Sequence, residues 1–100
     1  MASKSEWRVI VVEAAQKDFA KLDKGLQNIV FSHLNKIKID PERMGKPLRG
    51  PLSGFKKEYF LNKSYRIVFR VKSSDKVVEI WAIGRRDKSE VYETLAKRIK

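Results

Sequence analysis

The sequence contains no cysteine. Disulfides, thiolate nucleophiles and cysteine-ligated zinc are therefore excluded. Its single histidine, His33, rules out a two-histidine acid–base pair. His33 lies within a helical pattern beside Leu34 and reads as a helix-surface or core-edge residue. Acids are sparse, 12 against 23 lysines and arginines, and none cluster at metal-ligand spacing. Metal-assisted phosphate chemistry thus has no support in the sequence. No glycine-rich phosphate loop followed by Lys-Ser/Thr is present. The longest apolar run, Val9 to Val12, is strand-sized and far short of the ~18 residues of a membrane span. Met1 to Glu6 holds no apolar stretch of the kind a signal peptide needs. The expectation is a cytoplasmic protein with no membrane partner and no cofactor.

What the chain has instead is positive charge. The net charge is +11 over 100 residues, a length that fits one domain, 1–100. The excess is not spread evenly. Residues 1–45 and 73–100 are each net +2, whereas residues 46–72 carry Lys46, Arg49, Lys56, Lys57, Lys63, Arg66, Arg70 and Lys72 against Glu58 alone. A charge surplus concentrated in one quarter of the chain points to a polyanion, nucleic acid or nucleoprotein, as the partner.

Hydrophobic spacing predicts an α+β fold in the order β-α-α-β-β-β-α. Trp7 to Val12 reads as a strand, and its apolar run suggests a central, buried position. Ala15, Phe19 and Leu22 mark a short helix. Asp23-Lys24-Gly25 breaks it, and Leu26, Ile29, Val30, Leu34 and Ile37 mark a second, giving a helical hairpin. All three prolines and three of five glycines fall in 41–54, a surface loop. A three-stranded antiparallel meander follows: Phe55 to Leu61, Tyr65 to Lys72, and Val77 to Ile83, ended by Gly84. In the middle strand Tyr65, Ile67, Phe69 and Val71 share one face, and Arg66, Val68, Arg70 and Lys72 the other, which is left for solvent or ligand. In the strand before it, Phe55, Lys57, Tyr59 and Leu61 share one parity, and a bulge near Lys56–Glu58 is compatible with the pattern. Trp81 reads as packing on the sheet. Asp87 with Glu90 resembles a capping box for a C-terminal helix bearing Val91, Leu95 and Ile99.

Four segments combine basic and aromatic residues: Gly54-Phe55-Lys56-Lys57, Tyr65-Arg66-Ile67-Val68-Phe69, Ile83-Gly84-Arg85-Arg86 and Glu90-Val91-Tyr92. Together with Leu48-Arg49-Gly50 before the sheet, and with the unbroken tail from Ile83 to Tyr92, they resemble the RelE/ParE toxin superfamily over nearly the whole chain. The tail is the most specific part, and it leans toward the RelE branch. The ParE branch, which poisons gyrase, generally lacks the arginine and tyrosine set.

The resemblance implies the toxin of a type II toxin-antitoxin system, held by a cognate antitoxin protein. It further implies a metal-independent, ribosome-dependent endoribonuclease (an mRNA interferase) that cuts mRNA in the A site by attack of a ribose 2′-OH on the adjacent phosphate. Such chemistry needs a base at the hydroxyl, cations at the phosphorane and an acid at the leaving oxygen. Arginine suits the phosphate because its fork donates two parallel hydrogen bonds. By match to the family, Lys57, Arg66, Arg86 and Tyr92 are the candidate catalytic residues. Lys46, Arg49, Lys56, Tyr59 and Arg85 are candidate RNA contacts. With no gap in the match the family's second lysine falls at Tyr59, while one inserted residue would instead match Lys56 to the first lysine and leave Glu58 at the second; Lys57, Tyr59 and Tyr92 all stand as candidates for the base. The competing readings are a gyrase inhibitor or catalytically inactive member of the same fold, and a general RNA-binding module.

Overall fold

The alternation from Tyr65 onward produces the longest antiparallel pairing among the described residues, the hairpin of β4 (Tyr65–Lys72) and β5 (Val77–Arg85). The computed structural model describes residues 7–85 together with 97 and 98. Within them the elements run β1 (Arg8–Val11), α1 (Glu13–Ala20), α2 (Lys24–Ile39), β2 (Lys46–Pro47), β3 (Lys56–Phe60), β4 and β5. The sheet is mixed, in the order β1-β5-β4-β3-β2. β1 runs parallel to β5 and the other pairs are antiparallel.

Both helices cover one face of this sheet. Ala15 of α1 and Val30 and Ile37 of α2 pack on Ile67, Phe69, Val78 and Ile80. Ile67, Phe69 and Ile80 are fully buried, and each such side chain stabilises the fold by about 1.5–3 kcal/mol relative to exposure. The opposite face carries a second, smaller cluster. There the chain from Leu48 to Phe55 folds back so that Leu48, Leu52 and Phe55 pack on Val68, Trp81 and Ala82.

Several expectations from the sequence are corrected. β1 is an edge strand, not a central one, and Ile10 is 44% exposed. Its apolar run is explained by packing of Val9, Val11 and Val12 on the core. The break between the helices is made by Asp23, whose carboxylate accepts from Leu26 N at 2.8 Å as the N-cap of α2, so Gly25 is already inside the helix. Gly84 does not end β5, since it pairs with Arg66 and the strand continues to Arg85. A short strand that the hydrophobic pattern does not announce, β2, pairs with β3. The bulge expected near Lys56–Glu58 is absent from the β3–β4 ladder, which is regular. It lies in β5, where Phe69 pairs Ile80 and Val68 pairs Ala82, leaving Trp81 as the extra residue. The sheet face bearing Arg66 and Arg70 is not open, because the 48–55 loop covers part of it. The C-terminal helix expected from Asp87 falls outside the described residues, apart from Lys97 and Arg98.

Two local conformations shape the site end of the sheet. Gly45 has φ +73°, and a Cβ there would stand 2.7 Å from the Lys57 carbonyl oxygen. Only glycine lets β2 approach β3 this closely. The β3–β4 turn places three consecutive non-glycine residues, Leu61, Asn62 and Lys63, at φ 54°, 58° and 67°. Asparagine tolerates this region, but for Leu61 and Lys63 it costs about 1–2 kcal/mol each.

Candidate nucleic-acid interface

Directly paired residues of an antiparallel ladder project to the same face. The register therefore decides which of the basic residues act together. Lys46 is opposite Lys57, Tyr59 is opposite Arg66, and Arg66 is opposite Gly84. With Lys57 and Tyr59 two apart on β3, these pairings put Lys46, Lys57, Tyr59 and Arg66 on one face, the face that the helices leave uncovered. Gly84 brings no side chain to the position facing Arg66.

Arg66 is 4% exposed, the one buried charged side chain in the core of the described residues. An arginine keeps its charge in proteins, and a guanidinium held away from water acts on nearby phosphate with little screening. Lys57 and Tyr59 are half-buried, and the Lys57 ammonium lies 5.2 Å from the centre of the Tyr59 ring. Lys46 is exposed on the edge strand. Arg49 is exposed on the loop that crosses this face, immediately before the turn at Gly50–Leu52. A pocket of about 260 Å³ opens beside the row, lined by Gly45, Lys46, Lys57, Glu58, Tyr59 and Lys63. Lys63 counts toward the charge surplus, but nothing else in the sequence singles it out. Its place on the rim depends on the left-handed turn, which no residue pattern announces.

Farther along the same face, Arg70 is committed elsewhere. It donates from Nε and Nη2 to Glu79 Oε1 at 3.1 and 2.8 Å, and its guanidinium lies over the rings of Phe55 and Trp81. Trp81 Nε1 donates to the same oxygen at 3.1 Å. Burial alone would push the Glu79 carboxyl up, but the hydrogen bonds from Trp81 and Arg70 and the charges of Arg70 and Lys72 hold it below the usual carboxylate range.

Two residues expected to contact RNA are placed apart from the row. Lys56 has the opposite parity on β3. Its ammonium donates to the carbonyl oxygens of Pro41 and Glu42 at 3.2 and 2.9 Å, with Phe69 beneath it. Burial pushes its ammonium below the ordinary lysine range, against the attraction of Glu42, Asp40 and Glu58. Arg85 pairs with Tyr65, on the helix side of β5, and lies over the Tyr65 ring. His33 faces Glu58 Oε2 at 3.3 Å and packs on Phe60, also on the helix side. Arg86 and Tyr92 lie outside the described residues. What remains is a row of cations with one phenol, suited to an extended phosphodiester strand and to the charge of a pentavalent phosphorane.

A family model for the ParE toxin of type II toxin-antitoxin systems, parDE, matches residues 9–90. The mRNA interferase toxin RelE of Escherichia coli K12 is 30% identical over 87 residues, which cover 87% of this chain and 90% of that protein. Among solved structures, a double arginine-to-alanine variant of E. coli toxin RelE in the free state aligns with a TM-score of 0.78 at 26% identity, covering 94% of this chain and 98% of that one. A chain from the toxin-antitoxin complex RelBE2 of Mycobacterium tuberculosis aligns with a TM-score of 0.73 at 26% identity, covering 80% of this chain and 98% of that one.

Proposed function

The chain belongs to the ParE toxin family of type II toxin-antitoxin systems, within the RelE/ParE superfamily, and from that membership we propose that it is a metal-independent endoribonuclease that cuts messenger RNA in the ribosomal A site. The observation that carries this reading is the placement of Lys46, Lys57, Tyr59 and Arg66 on one sheet face, the one away from the helices, by the β2–β3–β4 register. In the proposed reaction a ribose 2′-oxygen attacks the adjacent phosphorus and the bond to the 5′-oxygen breaks. The hydroxyl proton passes to a base, and the leaving oxygen takes a proton from an acid. Arg66 donates to the phosphorane oxygens. Lys57 and Tyr59 are the base candidates within the described residues. Arg86, Tyr92 and Arg85 are carried over from the sequence match as the leaving-group, base-stacking and RNA-contact candidates, and Arg49 as a backbone contact that positions the strand. Lys56 is assigned to holding the 41–42 turn.

Family membership also assigns a partner, a cognate antitoxin, as in the RelBE2 complex. Its expected chemistry is an acidic segment neutralising the 46–72 stretch, whose net charge is +7. A second reading, a gyrase inhibitor without nuclease activity, is favoured by the ParE description of the matching family and by Tyr59 standing where RelE-type toxins carry a lysine.

The test is substitution of Arg66 and Tyr59. Arg66→Gln, with its fold checked by circular dichroism, should slow cleavage of translated mRNA by about 10²–10³, the usual loss for one transition-state donor. Tyr59→Phe removes the phenol while keeping the ring, and should lower cleavage without altering expression or stability. Wild-type rates in both variants would remove this site assignment.

A further inference from the structure

The pocket beside the cation row carries two lysines, Lys46 and Lys63, that the cleavage chemistry does not use. Lys46 and Lys57 face one another across β2 and β3, an arrangement that is repulsive on its own. Lys63 adds a third ammonium on the rim. Glu58 contributes to the wall, but its parity sends the carboxylate to the helix side, where it faces His33. Left-handed backbone is also concentrated beside this pocket. Gly45 is required by the close approach of β2, and Leu61, Asn62 and Lys63 are all left-handed in the turn that carries Lys63 to the rim. Strain concentrated beside a group of like charges is a mark of a ligand site.

We propose that Lys46 and Lys63 form a second phosphate-binding subsite, which holds a backbone phosphate of the same RNA strand two along from the one at Arg66. Adjacent strands lie about 4.8 Å apart and alternate residues about 6.7 Å apart, so Lys46 and Arg66, two strands and two residues removed, are separated by roughly 12 Å at the backbone. That separation is comparable with the distance between next-nearest phosphates of an extended strand. Lys57, one of the two base candidates, lies between them. The RNA would thus run obliquely across β4, β3 and β2 toward the sheet edge. This inference rests on the RNA-cleaving reading, but its binding can be measured without cleavage.

The probe is an uncleavable 2′-deoxy pentanucleotide titrated into the full chain at several salt concentrations, with inorganic phosphate titrated in parallel. Amide NMR signals of Gly45, Lys46 and Lys63 should move saturably with both ligands, and the pentanucleotide should bind more tightly than phosphate. Lys46→Ala and Lys63→Gly should each weaken the pentanucleotide several-fold and lower the dependence of log affinity on log salt by about 0.7, the value of one single-strand phosphate contact. Lys24→Ala, an exposed lysine on α2, should leave the slope near wild type. Because glycine relieves the left-handed turn, Lys63→Gly should raise the melting temperature while weakening binding, a combination that a purely structural role for Lys63 does not give. Wild-type affinity and slope in both variants, or an equal loss in Lys24→Ala, overturns the subsite in favour of diffuse attraction. If the variants bind as expected but the wild-type chain leaves translated mRNA intact, the cleavage reading fails and the subsite stands. If wild type cleaves but the variants bind like wild type, the subsite alone fails.

Discussion

Lys56 and Lys57 are neighbours of identical chemistry, and parity alone separates their roles. Lys57 joins the cation row, while Lys56 holds its ammonium over the Phe69 ring and ties it to two carbonyls. The alternation of β4 is legible in the sequence because its apolar and basic residues take turns without exception from Tyr65 to Ile67 and again from Phe69 to Lys72. That of β3 is not, because a lysine on the dry side satisfies the same local pattern through its long stem. Glu79 yields a prediction at this scale. Its folded-state pKa is depressed, so as pH falls the unfolded chain takes up the proton first. The stability it contributes is complete above the ordinary carboxylate value of 4.5 and is lost as pH drops below it toward the folded value. Glu79→Gln should flatten the acid limb of the melting temperature measured between about pH 3 and 7. It should also cost about 1 kcal/mol at neutral pH, a modest figure because Arg70 is 38% exposed. An acid limb as steep as that of wild type would assign the effect to other carboxylates.

At the scale of elements, the order from the first strand through the helical hairpin to the meander can be read from spacing, since periods of 3.6 and 2 are distinct over such lengths. Placement within the sheet cannot. An apolar run such as Val9 to Val12 looks the same whether buried by strands on both sides or by one strand and the helices. The two-residue β2 is too short to leave a pattern at all, although Gly45 is its one signature. That glycine is the element's weak point. Gly45→Ala would force a Cβ to 2.7 Å from the Lys57 carbonyl oxygen and 3.0 Å from the Phe69 ring, at a φ of +73°. The expected cost is about 1–3 kcal/mol in denaturant unfolding, with Lys46 carried away from Lys57 and weaker binding of oligonucleotide at the same time. Unchanged stability together with unchanged binding would show that the approach of β2 to β3 is not needed.

Over the whole molecule, the two faces of the sheet divide the work: one is kept dry by the helices, and the other carries most of the charge concentrated in residues 46–72. That concentration is visible in the order of residues alone. The partial closure of the basic face is not, because it depends on a proline- and glycine-rich loop whose path has no period. The part of the site carried by Arg86 and Tyr92 lies outside the described residues and rests on the sequence match alone. The described residues offer a row rather than an enclosed channel, so in the proposed reaction positioning of the message would fall to the ribosome, and such orientation can be worth effective molarities of ~10⁵ M or more. The most direct test of the proposed activity is therefore mapping of cut sites on one message, translated and naked, at the same protein concentration, with gyrase supercoiling assayed alongside. The expected result is rapid cutting within A-site codons of the translated message, slow or no cutting of naked RNA, and undisturbed supercoiling. An intact translated message together with inhibited gyrase would contradict it.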